Sequence, residues 1–151
     1  MHSSMTKADA QKFCMVFLRE QEHAVLATVN AGGRPQAAVV TYFVEDDWTF
    51  YFTTRRETRK HENLMHNRRV AMVVGTGPGP VSIQIEGTAE PVEGTERETV
   101  MGAFLTKRKS YYDIFLKIPG YDFSVFKVRP DWIRLFQIND GAGAEVFTRI
   151  I

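Results

Sequence analysis

Apolar positions along this chain change their period several times, and each change marks a new kind of element. Ala10, Phe13, Cys14, Phe17 and Leu18 recur at i, i+3, i+4, i+7 and i+8, one apolar stripe at helical spacing. Thr6 is placed to cap that helix, with Asp9 in the capping-box position, and the stripe runs out near Gln21. The next stretch, "HAVLATVNAGGRPQAAVVTYFVEDDWTFYFTT", is rich in Val, Ala, Thr and aromatics and is punctuated by "NAGGRP" and "EDD". It predicts a three-stranded meander at about His23–Val29, Gln36–Val44 and Trp48–Thr53. Glu57 or Thr58 then opens a short helix to about His66. "RVAMVVG" and "VSIQIEGTAEPV" follow as strands, and in the second Val81, Ile83 and Ile85 alternate with Ser82, Gln84 and Glu86, so that one face is apolar and the other polar.

Two helices are predicted next, with Thr95/Glu98 and Ser110/Asp113 as capping boxes ahead of Met101/Phe104/Leu105 and Ile114/Phe115/Ile118. "YDFSVFKV" and "DWIRLFQI" read as two strands around an "RPD" turn, "NDGAGAE" as a flexible turn, and Val146–Ile151 as an apolar tail. The order α-βββ-α-ββ-αα-ββ does not alternate strand with helix, which excludes a doubly wound sheet. It implies a mainly β (α+β) fold: an antiparallel, Greek-key split barrel with peripheral helices.

Length and composition narrow the picture further. At 151 residues, with 44% hydrophobic and 25% charged residues, the chain is expected to form one domain, 1–151, around one ordinary core. No apolar run approaches the ~18–20 residues that span a bilayer. The N-terminus has no signal-like core, and the single cysteine forms no internal disulfide, so a cytoplasmic location is expected. A net charge of +1 argues against nucleic acid as the main partner.

Three motifs lose their appeal when their chemistry is considered. "HENLMH" resembles a zinc-protease helix, but its histidines are five apart, which turns the second ring about 140° from the first. No metal site is expected there, and His61 and His66 read as solvated surface residues. "GTGPGPVS" looks like a phosphate loop, yet Pro78 and Pro80 have no N–H to give, so it reads as a hairpin connection. Cys14 lies in the apolar helix stripe and reads as a buried core thiol.

The cations are different. Six of the nineteen Lys and Arg residues fall between Arg55 and Arg69. Arg68 and Arg69 fit a solvated face. Arg59 and Lys60 instead open a helix directly after a strand, where unpaired N–H groups and the helix dipole already favour an anion. Thr53, Thr54 and Thr58 add hydroxyls, and the Arg fork and Lys point charge suit a phosphate without a metal. In the preceding strand, small Ala37 and Ala38 beside Val39, Val40 and Thr41 would let a flat ring approach the backbone, although a plain barrel strand uses the same residues.

Taken in order, "LATVNAGGRPQAAVVTYFVEDDWTFYFTTRRETRKHENLMHNRRVAMVV" and "VSIQIEGTAEPV" resemble the pyridoxamine 5′-phosphate oxidase-like FMN-binding split barrels, with a weaker echo in "FKVRPDWIRLF". The resemblance implies a homodimer with one flavin in each of two clefts at the subunit interface. It places the family's phosphate-binding Ser-Arg-Lys on Thr58, Arg59 and Lys60. Flavin-edge contacts fall on Val39, Val40 and Thr41 and on Phe52, Thr53 and Thr54, and the partner's polar contribution falls near Ser82 and Gln84. Phe52, with Trp132 or Tyr42, is expected on the substrate side. True oxidases of this family carry an Arg-Leu-His-Asp-Arg-like segment near the C-terminus. "WIRLFQINDGAGAEVFTRII" supplies no such cations around a histidine, so that reaction is not expected. The function implied is an FMN-dependent oxidoreductase of unassigned substrate, with no obvious general acid or base. Alternatives are a reductase using the deazaflavin F420, whose acidic tail Arg55 and Arg56 could serve, and a non-catalytic flavin- or haem-binding stress protein.

Overall fold

The computed structural model describes residues 5–75, 79–115, 117, 122–139 and 144–151. Helix α1 (Lys7–Glu20) is capped by Thr6, whose hydroxyl accepts from the Asp9 amide at 3.1 Å, and it ends where Gln21 turns extended. Strands β1 (His23–Val29), β2 (Pro35–Val44) and β3 (Phe50–Arg55) form the expected meander. Helix α2 (Arg59–His66) carries the chain back across β2 and β1 to β4 (Arg69–Val74), which forms a hairpin with β5 (Val81–Pro91). Helices α3 (Gly94–Lys107) and α4 (Lys109–Phe115) lead to β6 (Phe123–Asn139) and β7 (Ala144–Arg149).

The strands run β3-β2-β1-β4-β5-β6-β7, every neighbouring pair is antiparallel, and a β3–β6 pairing closes β1–β6 into a six-stranded barrel. Inward-facing Leu26, Val40, Tyr42, Phe50, Phe52, Met72, Ile83, Ile85, Phe126 and Ile133 fill the barrel, and Ala10, Cys14 and Leu18 of α1 belong to the same core. Burial pushes the Cys14 thiol up to about 12, as an apolar setting does to any group that ionises to an anion. A second cluster lies outside the barrel wall, where Val100 and Phe104 of α3 pack on Phe43, Tyr51, Phe123 and Val125. The Phe104 and Phe43 rings meet edge to face at 4.6 Å. Burial of a ring such as Phe104 stabilises the fold by roughly 1.5–3 kcal/mol.

The barrel is not evenly sealed. β2 pairs with β1 from Thr41 to Pro35, but with β3 over three residue pairs, Tyr42↔Phe52 to Val44↔Phe50. Beyond them β3 stays with β6 as far as Arg55↔Phe123 while β2 stays with β1, so the two strands part like an opened seam.

Several local expectations are corrected. The third strand starts at Phe50, not Trp48, because Trp48 takes a left-handed φ of 71° to close the β2–β3 hairpin. Thr95 and Ser110 lie inside helices that begin at Gly94 and Lys109, and Glu93, which stands at the N-cap of α3, makes no side-chain cap bond. "RPD" is no turn. β6 runs through it, and the register beside β5 slips between Glu86↔Trp132 and Gly87↔Pro130, leaving Asp131 as the extra residue of a bulge. Gly87 permits this close approach, since a Cβ there would stand 2.4 Å from the Arg129 carbonyl oxygen. The apolar tail supplies strand β7 on the outer edge of β6. Most of "NDGAGAE", residues 76–78 of "GTGPGPVS" and the Ile118 end expected for the last helix lie outside the described residues.

Candidate functional site

The seam between β2 and β3 opens beside the start of α2. Thr58 is the N-cap of that helix, in extended conformation, and its hydroxyl oxygen accepts from the His61 amide at 3.4 Å. The same hydroxyl donates to the Arg55 carbonyl at 2.7 Å. Its one proton is thus committed, so Thr54 must be the donor in the 2.9 Å contact between the two hydroxyls. This chain of bonds fixes the cap against the end of β3. The amides of Arg59 and Lys60, in the first turn, have no carbonyl four residues back within the helix.

Asn63 anchors the other side of α2. It is buried, and its amide nitrogen donates to Thr28 Oγ1 at 3.0 Å and Gln36 Oε1 at 2.7 Å. One side chain thereby ties α2 to both β1 and β2. Sequence reasoning missed it, because an isolated Asn in a helix gives no signal of which strands it will meet.

Between these anchors lies a hollow of about 350 Å³ lined by Thr28, Gln36, Ala37, Ala38, Glu57, Thr58, Arg59 and Lys60. It adjoins a second of about 160 Å³, which shares Thr58 and Lys60 and is walled by Val39, Val40, Thr53 and Thr54. Arg59 is exposed and Lys60 half-buried. Burial first, and the neighbouring Arg59 second, hold the Lys60 ammonium below the ordinary lysine value. Among the described residues neither cation has an ion-pair partner, whereas Arg55 pairs with Glu57, Arg56 with Asp122 at 2.7 Å and Arg69 with Asp131 at 2.7 Å. Two adjacent cations without a counter-charge, one of them partly desolvated, form a corner whose chemistry suits an anion.

The residues flagged along β2 and β3 divide by orientation. Val39 is 63% exposed on the outer face of β2, an apolar surface beside the cation corner. Val40, Thr41, Thr53 and Thr54 are buried. The Tyr42 amide donates to Glu22 on the β1 side at 3.1 Å, so strand alternation turns the backbone groups of Val39 and Thr41 toward the open seam. Phe52 and Tyr42 do not flank the opening. Both are fully buried in the barrel, where Phe52 stacks on Phe126 at 5.5 Å; the Tyr42 amide and carbonyl are bonded to Glu22 and Arg108, and Phe52, opposite Tyr42, turns its backbone groups to β6.

Ser82 and Gln84 are half-buried on the outer face of β5. In the closed ring β5 stands three strands from β2 in either direction, so one copy of the chain does not bring these residues to the α2 corner. Trp132 lies near them, opposite Glu86 on β6. His61 is corrected. It is half-buried, not solvated, with Nδ1 2.9 Å from Ser124 Oγ and its ring edge-on to Phe126. His66 is exposed. No group of three or more His, Cys, Asp or Glu side chains is placed to hold a metal among the described residues. No helix among them is long and apolar enough to cross a membrane.

Known proteins are similar to this chain in sequence and in fold. The pyridoxine/pyridoxamine 5′-phosphate oxidase of Bordetella pertussis is 37% identical over 79 residues, 52% of this chain and 38% of that protein. This chain spans less than half the length of the curated relatives it matches. Among solved structures, general stress protein 26 of Bacillus anthracis superposes with a TM-score of 0.71 at 23% identity, covering 93% of this chain and 98% of its own. A heme binding protein of Mycobacterium smegmatis superposes with a TM-score of 0.69 at 22% identity, covering 99% of this chain and 59% of its own. At that identity these two share the fold. The family profile described as pyridoxamine 5′-phosphate oxidase matches residues 10–137, nearly the whole barrel and both sides of its seam, and this chain belongs to that family.

Proposed function

We propose that this chain is a cytoplasmic FMN-binding oxidoreductase, acting as a homodimer of single-domain subunits with one flavin in each of two clefts between copies. The observation that carries this reading is the Arg59–Lys60 pair, lacking any acidic partner among the described residues and set at the helix start where β2 and β3 part. Arg59 offers a planar fork to a phosphate and Lys60 a point charge, while the first-turn amides of α2 add neutral donors. Thr58 and Thr54 hold that turn in place. The exposed Val39 side chain gives a flat ring an apolar bed, and the backbones of Val39 and Thr41, with that of Thr53 opposite, face its polar edge, while Phe52 and Thr54 turn their backbone groups to β6 and support that edge from behind. Ser82 and Gln84 of a second copy would close the far side, which explains why they stand three strands away within one copy.

Bound FMN supplies hydride acceptance at its ring. The chain's own part is to bind, orient and keep water out. No side chain in the corner is set up as a general acid or base, consistent with chemistry centred on the cofactor. FMN is favoured over F420 because Arg55 and Arg56, the cations available for a longer acidic tail, are engaged by Glu57 and Asp122. A non-catalytic carrier is the alternative that shares this geometry, and the fold likeness to a heme binding protein keeps it in view.

Purified protein should be yellow, with bands near ~370 and ~450 nm as for oxidised flavins. Mass spectrometry of the cofactor released by heating should return FMN. Bleaching by NADPH without oxygen marks an enzyme, and its absence a carrier. A colourless protein that takes up neither FMN nor F420 overturns the reading.

A further inference from the structure

The outer face of β5 and β6 holds a polar unit more ordered than its position requires. Gln84 and Arg134 face each other across the two strands. Arg134 donates to Gln84 Oε1 twice, from Nε at 3.1 Å and from a terminal nitrogen at 2.7 Å. The guanidinium carbon of Arg134 also lies 5.3 Å from the ring centre of Trp132 and 4.5 Å from that of Phe147. Two aromatic faces and a forked bond leave the guanidinium little freedom, and such stacking suits Arg far better than Lys.

The consequence falls on Gln84. An arginine has no hydrogen-bond acceptor, so the amide atom it grips must be the oxygen, and the Gln84 NH₂ group is turned away from β6. On its other side the neighbour across the ladder is Val73, whose side chain cannot accept a hydrogen bond. The two N–H donors of Gln84 are therefore presented outward.

We propose that Arg134 is a positioning residue for the cofactor cleft: held between Trp132 and Phe147, it locks the Gln84 amide so that its NH₂ donates to an acceptor atom on the ring bound by the other copy. This rests on the flavin reading above and adds a residue to it. Without Arg134 the amide turns freely and offers oxygen as readily as nitrogen, and a ring carbonyl is repelled by the former.

The test uses the full chain, titrated with FMN and with riboflavin, alongside Arg134→Met, Gln84→Leu and the double variant. Met keeps an unbranched apolar stem between the two rings while removing the fork. Arg134→Met should weaken both ligands about tenfold, the scale of one neutral hydrogen bond. Because the contact is to the ring, riboflavin and FMN should suffer equally. Gln84→Leu should cost a similar factor, and the double variant should bind no worse than either single one, since the two side chains act as a unit. A merely structural Arg134 would show instead as loss of the dimer in sizing chromatography, or as losses that multiply in the double variant. Either result, or unchanged affinity in Arg134→Met, overturns the proposal while leaving the flavin reading intact. In ligand-free protein the Arg134 Nε–H should exchange slowly with solvent by NMR and exchange fast in Gln84→Leu. Equal exchange in both would refute the locked pair without reference to flavin. Wild-type protein that binds neither ligand refutes the reading and this inference together.

Discussion

Arg55, Arg56 and Arg69 on one side, and Arg59 and Lys60 on the other, come from one short cationic stretch, yet the fold gives them opposite fates. The first three are tied off by Glu57, Asp122 and Asp131 at the surface. Such pairs contribute about 0–1 kcal/mol and neutralise what they touch. Arg59 and Lys60 share the first turn of α2, have no counter-charge among the described residues, and place one ammonium where burial already disfavours it. Clustering of like charge in a sequence says little about binding. What distinguishes the two sets is the lack of a partner combined with partial desolvation, and both are properties of the fold.

The sharpest way to break this contrast is to remove each set in turn. Arg59→Ala with Lys60→Ala should weaken FMN binding by about 100-fold or more, since each charge-assisted hydrogen bond is worth ~1.5–3 kcal/mol. Arg69→Ala, or Arg55→Ala, should change it by no more than about twofold. Fluorescence titration reads both, and equal losses from the two sets would abolish the distinction.

Asn63 comes next, because the corner can be aimed only if α2 is anchored. Asn63→Leu deletes two buried hydrogen bonds and strands Thr28 and Gln36, so it should lower unfolding free energy by about 2–3 kcal/mol in urea denaturation. A loss below about 0.5 kcal/mol would mean that α2 is held by other contacts. Thr58→Ala removes the cap and should cost about 1 kcal/mol, with Thr58→Ser restoring most of it.

The pH dependence is the most specific effect. An anion in the corner would raise the depressed Lys60 value, so the complex holds more protons than the free chain between the two values. FMN affinity should therefore fall as pH rises through that window, by at most about tenfold per pH unit, beginning lower than an ordinary lysine allows. Lys60→Arg should flatten the slope, because arginine keeps its proton throughout. A slope that survives in Lys60→Arg would assign the titration to another group.

What could be read in advance follows from how local each signal was. The α1 stripe, the three-strand meander and the α2 cap at Thr58 depend on residues within a few positions of one another, and they match the structure closely. The Arg59–Lys60 corner was legible for the same reason, since strand, cap and cations are contiguous. Contacts across the barrel were not. Nothing near Pro130 and Asp131 separates a turn from a bulge, because the bulge exists only where Gly87 of β5 lets the β6 backbone come close. His61 read as solvated because Ser124, its partner, lies 63 residues away. Phe52 and Tyr42 read as lining a cleft because strand alternation fixes which residues share a face, but not which face is inside. Asn63 and Arg134 were silent for the same reason as His61, their partners being remote in sequence.

The central claim is that Arg59 and Lys60 hold a phosphate, and comparison of FMN with riboflavin isolates that group. Wild-type protein should bind FMN about 100-fold tighter than riboflavin, with Arg59→Ala/Lys60→Ala binding the two alike and riboflavin affinity little changed by the substitutions. A wild-type preference below about twofold, or one that persists after both cations are gone, would contradict the account.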